Sequence, residues 1–258
     1  MTAHTAPLPS PALKWQYVRL MTKATLVLWD IDMTLVALPG LGHHWYERAL
    51  TRAFGRGIVH YPSMGGRTER AITMELLAAH GVEQTDALVE QMFAALEAVV
   101  AEDRATLAER GRALPGAKAA LTALSERPAV VQSLVTGNLL SIAEHKLAPF
   151  GLDVHLDFAI GAYGSLSAHR PDLVSAAMRN AAAKHGGPFA PGSVVVIGDT
   201  PHDVEAALSH GAIAIGVATG HVSEDELRAA GAHVTFADLA DTHAVVAAVL
   251  PARSYYPS

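Results

Sequence analysis

"LVLWDIDMTLVALPG" occupies positions 26–40. It passes from apolar, β-forming residues into two aspartates, Asp30 and Asp32, one residue apart. Carboxylates at the end of a buried strand repel each other and lose hydration, so a compensating group is required. Similar apolar runs recur at "ATLVLW" (24–29), "AVVQSLVT" (129–136), "DFAI" (157–160), "SVVVIG" (193–198) and "AIAIGV" (212–217). They are too uniformly apolar for a sheet with one wet face and read as parallel strands covered on both sides. Helical patterns at 117–126, 139–149, 172–185, 203–210 and 224–230 alternate with them. The alternation predicts an α/β fold with a doubly wound parallel sheet.

One interval breaks the alternation. Between His43 and Arg112 no strand is convincing, and "HHWYERALTRAFGR", "RTERAITMELLAAHG" and "DALVEQMFAALEAVVAEDRATLAERG" read as amphipathic helices. Gly81 and Gly111 fall where helix C-caps are expected. The predicted organisation is a core of 23–40 and 113–250, a helical insertion over 41–112, a flexible N-terminal arm (1–22, with Met21 as an alternative start) and a loose tail (251–258).

Composition narrows the function classes. Half of the 258 residues are apolar and the formal net charge is −6, so no basic surface for nucleic acid is expected. There is no cysteine, which excludes disulfides and thiolate metal sites and suits a reducing cytoplasm. No apolar stretch reaches the length of a membrane span, and the first twenty residues lack the pattern of a secretory signal.

Ligands of open α/β sheets bind beyond the carboxyl ends of the strands. Asp30, Asp32 and Thr34 follow the first strand, and Thr136, Gly137 and Asn138 follow the second. Arg170 stands at a helix start after the third, and "GDTPHD" places Asp199, Thr200 and Asp203 after the fourth. Four carboxylates sharing one crevice need a cation, and a hard dication with oxygen ligands is the economical choice. Thr136, the backbone after it and Arg170 suit a tetrahedral oxyanion. Together these groups describe phosphoryl transfer. Read blandly, the DxD could be a turn, Thr136-Gly137-Asn138 a strand-to-helix turn, Asp203 a helix N-cap and Arg170 an exposed helix-start arginine.

The order DxDxT, T-G-N, a lone basic residue and G-D-T-x-x-D resembles the haloacid dehalogenase superfamily, from about Thr25 to about Leu250. The helical insertion sits where that superfamily carries its C1 cap. "GDTPHDVEAALSHGA" and "LPGAKAAL" resemble the phosphoglycolate-phosphatase-like branch. The resemblance implies that Asp30 is the nucleophile, forming an aspartyl-phosphate, and that Asp32 is general acid and then base. It implies Mg²⁺ held by Asp30, by the backbone carbonyl of Asp32 and by Asp199, with Asp203 binding it through water or orienting Asp199. Thr136, Gly137, Asn138 and Arg170 would hold the phosphate. Arg67, in the cap segment "SMGGRTERAI", would select the substrate by holding a carboxylate. The implied partner is a small phosphorylated metabolite, such as phosphoglycolate, a sugar phosphate or a nucleoside monophosphate, acted on by a monomer or homodimer.

Two departures stand out. Many relatives carry glycine where this chain has Met33, and lysine where it has Arg170. Lys146 and Lys184, the other candidates for the basic residue, fall late in helices and are expected to lie away from the crevice. A phosphomutase resembling β-phosphoglucomutase and a non-catalytic binding protein are the competing readings. Asp32 argues against dehalogenation, because the dehalogenases of the superfamily lack it.

Overall fold

The structure is a computed structural model describing residues 25–250. The expected arm and tail lie outside the described residues. Along the chain come β1 (Thr25–Trp29), β2 (Val36–Ala37), α1 (Leu41–Phe54), α2 (Glu69–Ala79), α3 (Asp86–Asp103), α4 (Leu107–Arg110) and β3 (Arg112–Ala113). There follow α5 (Ala117–Ser125), β4 (Val130–Leu134), α6 (Leu140–Leu147), α7 (Pro171–His185), β5 (Val194–Gly198) and α8 (Pro201–Leu208). The described chain closes with β6 (Ile213–Val217), α9 (Glu224–Ala229), β7 (Val234–Phe236) and α10 (Thr242–Val249).

Five strands form a parallel sheet in the order β4-β1-β5-β6-β7. Successive side chains on a strand point to opposite faces, and both faces are apolar here. Leu26, Leu28, Val194 and Val196 pack beneath α7, α8 and α9. Val27, Trp29, Val195 and Ile197 pack beneath α5, α6 and α10. That two-sided burial is why the strands read as continuous apolar runs, and it makes the sheet doubly wound. Gln132, buried within β4, is satisfied by Trp29 Nε1 at 3.1 Å and by its own bond to Leu121 O at 2.9 Å.

Helices α1 to α4 lie between β1 and the next sheet strand and enclose a separate core built on Trp45, Leu50, Leu76, Leu77, Phe93 and Leu96. Entry and exit of this unit are stitched by the antiparallel pair β2–β3. Gly111 ends α4 through its N–H to Leu107 O at 2.9 Å. It is extended rather than left-handed, at φ −134°. Gly111 is the C-cap that was expected, but a Cβ there would stand 2.2 Å from Leu38 Cδ2, so the crossing of the two connections, and not a left-handed conformation, asks for glycine.

The sheet also corrects the expected strands. "DFAI" is a 3₁₀ turn over Phe158–Ile160, begun by Asp157, whose carboxylate accepts from Ala159 N at 3.2 Å. Asp157 donates from N to Gln132 O at 2.9 Å and accepts at its own carbonyl from Ser133 Oγ at 2.7 Å, and an isolated parallel bridge pairs Val135 with Ala162 just beyond the turn, so no ladder forms. The edge strand β7 and the two-residue pair β2–β3 were not foreseen. Each is too short to show a period of its own.

Candidate active site

Asp30, Thr136, Arg170 and Asp199 sit at the carboxyl end of the sheet and line one cavity of about 450 Å³ between the sheet and the helical unit. β1 ends at Trp29, so Asp30 is the first residue past the strand; its N–H bonds to Ile197 O at 2.8 Å. The chain then turns at Met33, a non-glycine residue in the left-handed region at φ 58°. That is an uncommon conformation for such a side chain, and it explains why glycine suits the position.

Asp30, Asp199 and Asp203 each present a carboxylate oxygen within 4.8 Å of the others, and all three are buried. Burial, opposed by Arg170 and reinforced by Asp203 and Asp32, pushes Asp30 up to about 7. Burial, then Asp30 and Asp203, push Asp199 up to about 9. Arg170 is wedged among them, with Nη2 2.7 Å from Asp30 Oδ1 and 2.6 Å from Asp203 Oδ1. The approach to Asp203 Oδ1 is too poorly directed for a hydrogen bond, and that buried oxygen has no partner. One guanidinium thus faces three carboxylates, and one oxygen remains unsatisfied. This donor set, all oxygen and net negative, fits a hard dication such as Mg²⁺. Asp30, Asp199 and Asp203 are the side chains that would hold it.

Asp203 is the third residue of α8 and not its N-cap; Thr200 holds that place. Asp203 Oδ2 accepts from Thr200 N at 3.1 Å and Thr200 Oγ1 at 2.7 Å, so local helix geometry aims its other oxygen at the cluster.

Asp32 stands apart. Its carboxylate is not in the cluster of three, and its side chain is 47% exposed. Lys146 Nζ donates to Oδ1 at 2.8 Å and Oδ2 at 2.7 Å, and Asn138 Nδ2 donates to Oδ2 at 2.8 Å. The sequence had placed Lys146 away from the crevice; it lines the cavity instead. A helical side chain tilts toward the helix N-terminus, so the long lysine stem runs back along α6 and brings Nζ to Asn138, which precedes the helix. Lys184 does lie elsewhere, 2.6 Å from Asp157.

Thr136 is fully buried, and its hydroxyl accepts from Asn138 Nδ2 at 2.8 Å. Gly137 meets the cap: a Cβ there would lie 2.0 Å from Arg67 O, and Gly137 O accepts from Glu69 N at 2.8 Å. Close backbone approach therefore accounts for this glycine. Arg170 Nη1 also donates to Gly66 O at 3.1 Å, and Arg70 N to Gly164 O at 2.9 Å. The segment from Gly66 to Arg70 is thus docked on the sheet edge. Thr68 caps α2, accepting from Ala71 N at 3.2 Å.

Arg67 lines the cavity, but its guanidinium is engaged: Nη1 bonds Glu75 Oε2 at 2.6 Å and Ser63 O at 3.1 Å. Beside it lies a pair that the sequence reading missed. Tyr46 donates its hydroxyl to the buried carboxyl of Glu69. Burial lifts Glu69 to about 7 against the pull of Tyr46 and Lys146. The signal was available, since Glu69 lies two residues after Arg67 in the same segment "SMGGRTERAI". Much of the remaining lining is apolar, with Trp45, Met64, Ile72 and Leu96 from the helical unit and Leu38 and Ile142 beside it, and His43 is a polar exception. His202, the second residue of α8, is exposed and also borders the cavity.

The family model of haloacid dehalogenase-like hydrolases matches residues 27–208. The chain belongs to this family. No curated protein matches it. Among solved structures, it is similar to a hydrolase from Pseudomonas syringae, with 23% identity, a TM-score of 0.61 and coverage of 86% of this chain and 96% of that one. A provisionally named β-phosphoglucomutase from Bacteroides vulgatus matches with 19% identity, a TM-score of 0.63 and coverage of 91% and 95%. A predicted phosphoglycolate phosphatase from Haemophilus somnus matches with 20% identity, a TM-score of 0.57 and coverage of 88% and 99%. At these identities the likeness concerns the fold: a haloacid dehalogenase-like core with a helical unit after its first strand. No helix among the described residues is long and apolar enough to cross a membrane.

Proposed function

We propose that this hydrolase is a Mg²⁺-dependent phosphatase of small phosphorylated metabolites, working in the cytoplasm through an aspartyl-phosphate on Asp30. The observation that carries the reading is the division of the carboxylates: three buried around Arg170, and a fourth, Asp32, set apart with its own cation. The first group suits a metal and a phosphate, and the second suits proton transfer.

In this reading Asp30 attacks phosphorus and the ester P–O bond breaks, while Asp32 gives a proton to the departing oxygen. Water then attacks the phosphoryl group, its proton passes to Asp32, and the P–O bond to Asp30 breaks. Arg170, with Thr136, Gly137 and Asn138, holds the phosphate oxygens. Bound Mg²⁺ would supply charge neutralisation and keep Asp30 ionised despite its burial.

The leaving group would face the cap. Arg67 is already paired with Glu75, and Tyr46 with Glu69. The free walls are largely apolar. This favours an alcohol portion with little charge over the carboxylate of phosphoglycolate, which Arg67 would hold only by giving up Glu75.

Phosphate release from a panel of phosphorylated metabolites, with Mg²⁺ and with EDTA, tests the reading. Release that requires Mg²⁺ is expected. Transfer of phosphate between positions of a sugar without release would make the protein a mutase. Binding of panel members without either reaction would make it a binding module.

A further inference from the structure

Arg67, Lys146 and Arg170 all line the crevice; Arg67 is paired with Glu75, and the other two serve different carboxylates of the site. Arg170 is committed to Asp30 and Asp203, while Lys146 reaches neither. Lys146 is 9% exposed at its side chain, and a buried ammonium needs each of its three N–H donors satisfied. They go to Asp32 Oδ1 at 2.8 Å, Asp32 Oδ2 at 2.7 Å and Asn138 Oδ1 at 2.6 Å. Asn138 closes the triangle by donating from Nδ2 to Asp32 at 2.8 Å and to Thr136 at 2.8 Å. The ammonium also stands 5.7 Å from the centre of the Trp45 ring, which belongs to the cap.

Asp32 has little else to hold it. Its side chain is nearly half exposed, and among the described residues its carboxylate accepts hydrogen bonds from Lys146 and Asn138 alone. A group that must present one oxygen to a leaving alcohol gains from being held in one orientation. The two-oxygen grip supplies that orientation, from a residue outside the four motif segments.

We propose that Lys146 is a positioning residue for Asp32: its ammonium, braced by Asn138, sets where the acid–base carboxylate points, and Trp45 ties that setting to the cap. The inference rests on the phosphatase reading. Asp32 acts on the leaving oxygen, so the loss of its orientation should fall on esters that need a proton and spare those that do not.

The test compares wild type, Lys146→Met, Asp32→Asn and the double variant on an alkyl phosphate and on p-nitrophenyl phosphate. Lys146→Gln is included in case methionine disturbs folding, and melting curves identify a misfolded variant. In the Lys146 variants kcat on the alkyl ester should fall about tenfold or more, a part of the 10²–10⁴ that acid–base catalysis supplies. KM should change little, and p-nitrophenyl phosphate turnover should fall by less than about threefold, since nitrophenolate needs little protonation. In the Asp32→Asn background the lysine change should have no further effect, because residues acting as one unit are not additive.

Equal losses on both esters, additive losses in the double variant, or a faster Lys146→Met enzyme would each overturn the positioning role. Failure of wild type to turn over either ester with Mg²⁺ would instead overturn the phosphatase reading, and this inference with it.

Discussion

At the residue scale, the site is governed by carboxylates held against their preference. Asp199 at about 9 and Asp30 at about 7 lie well above the ordinary value of 3.8. A raised folded-state value means stability that is complete below the unfolded pKa and lost as pH rises through the folded one. Metal-free protein should therefore melt at progressively lower temperature as pH rises from about 4 to about 9. Mg²⁺ should reverse the loss, because a bound dication favours the ionised forms. Asp199→Asn removes the carboxyl that burial and its acidic neighbours raise most, so it should raise the Tm of the metal-free protein at about pH 8 and abolish the rise given by Mg²⁺. Calorimetric melts at two pH values check this. An undiminished Mg²⁺ response in Asp199→Asn would remove that residue from the metal site. The motif aspartates were legible in the sequence because four spaced segments agreed. Lys146 was not, because helical position was judged without the reach of its side chain.

At the element scale, the sheet was legible and the irregular connections were not. Strands β1, β4, β5 and β6 are buried on both faces and announce themselves as apolar runs. Phe158–Ile160 is equally apolar, but Asp157 begins a turn there, and a run of that length cannot separate a buried turn from a strand. The start of α2 carries the cap's contribution to the cavity. Glu69, its first residue, is buried and lifted to about 7, and it accepts a hydrogen bond from Tyr46. By the same sign its penalty is absent at about pH 4 and complete above about pH 7. Glu69→Gln keeps an acceptor for Tyr46 and removes the charge. It should raise the Tm at about pH 8 by several degrees, at about 2–4 °C per kcal/mol for a protein of this size, and change it little at about pH 5. A Tm lowered at both pH values would mean that the charge of Glu69 stabilises the cap.

At the scale of the whole molecule, a layered sheet carries the carboxylates and a separately cored helical unit covers them. The break in β/α alternation between His43 and Arg112 was enough to foresee that division. How the two parts meet was not legible. Hydrogen bonds such as Glu69 N to Gly137 O and Arg170 Nη1 to Gly66 O join segments far apart in sequence and leave no periodic trace. The central claim is that Asp30 attacks phosphorus. Steady-state turnover of p-nitrophenyl phosphate with Mg²⁺ by freshly purified Asp30→Asn, beside wild type of equal folded content, tests it most directly. The amide cannot act as the nucleophile, so turnover should vanish in the variant while the melting transition stays cooperative; turnover close to that of wild type would contradict the covalent mechanism.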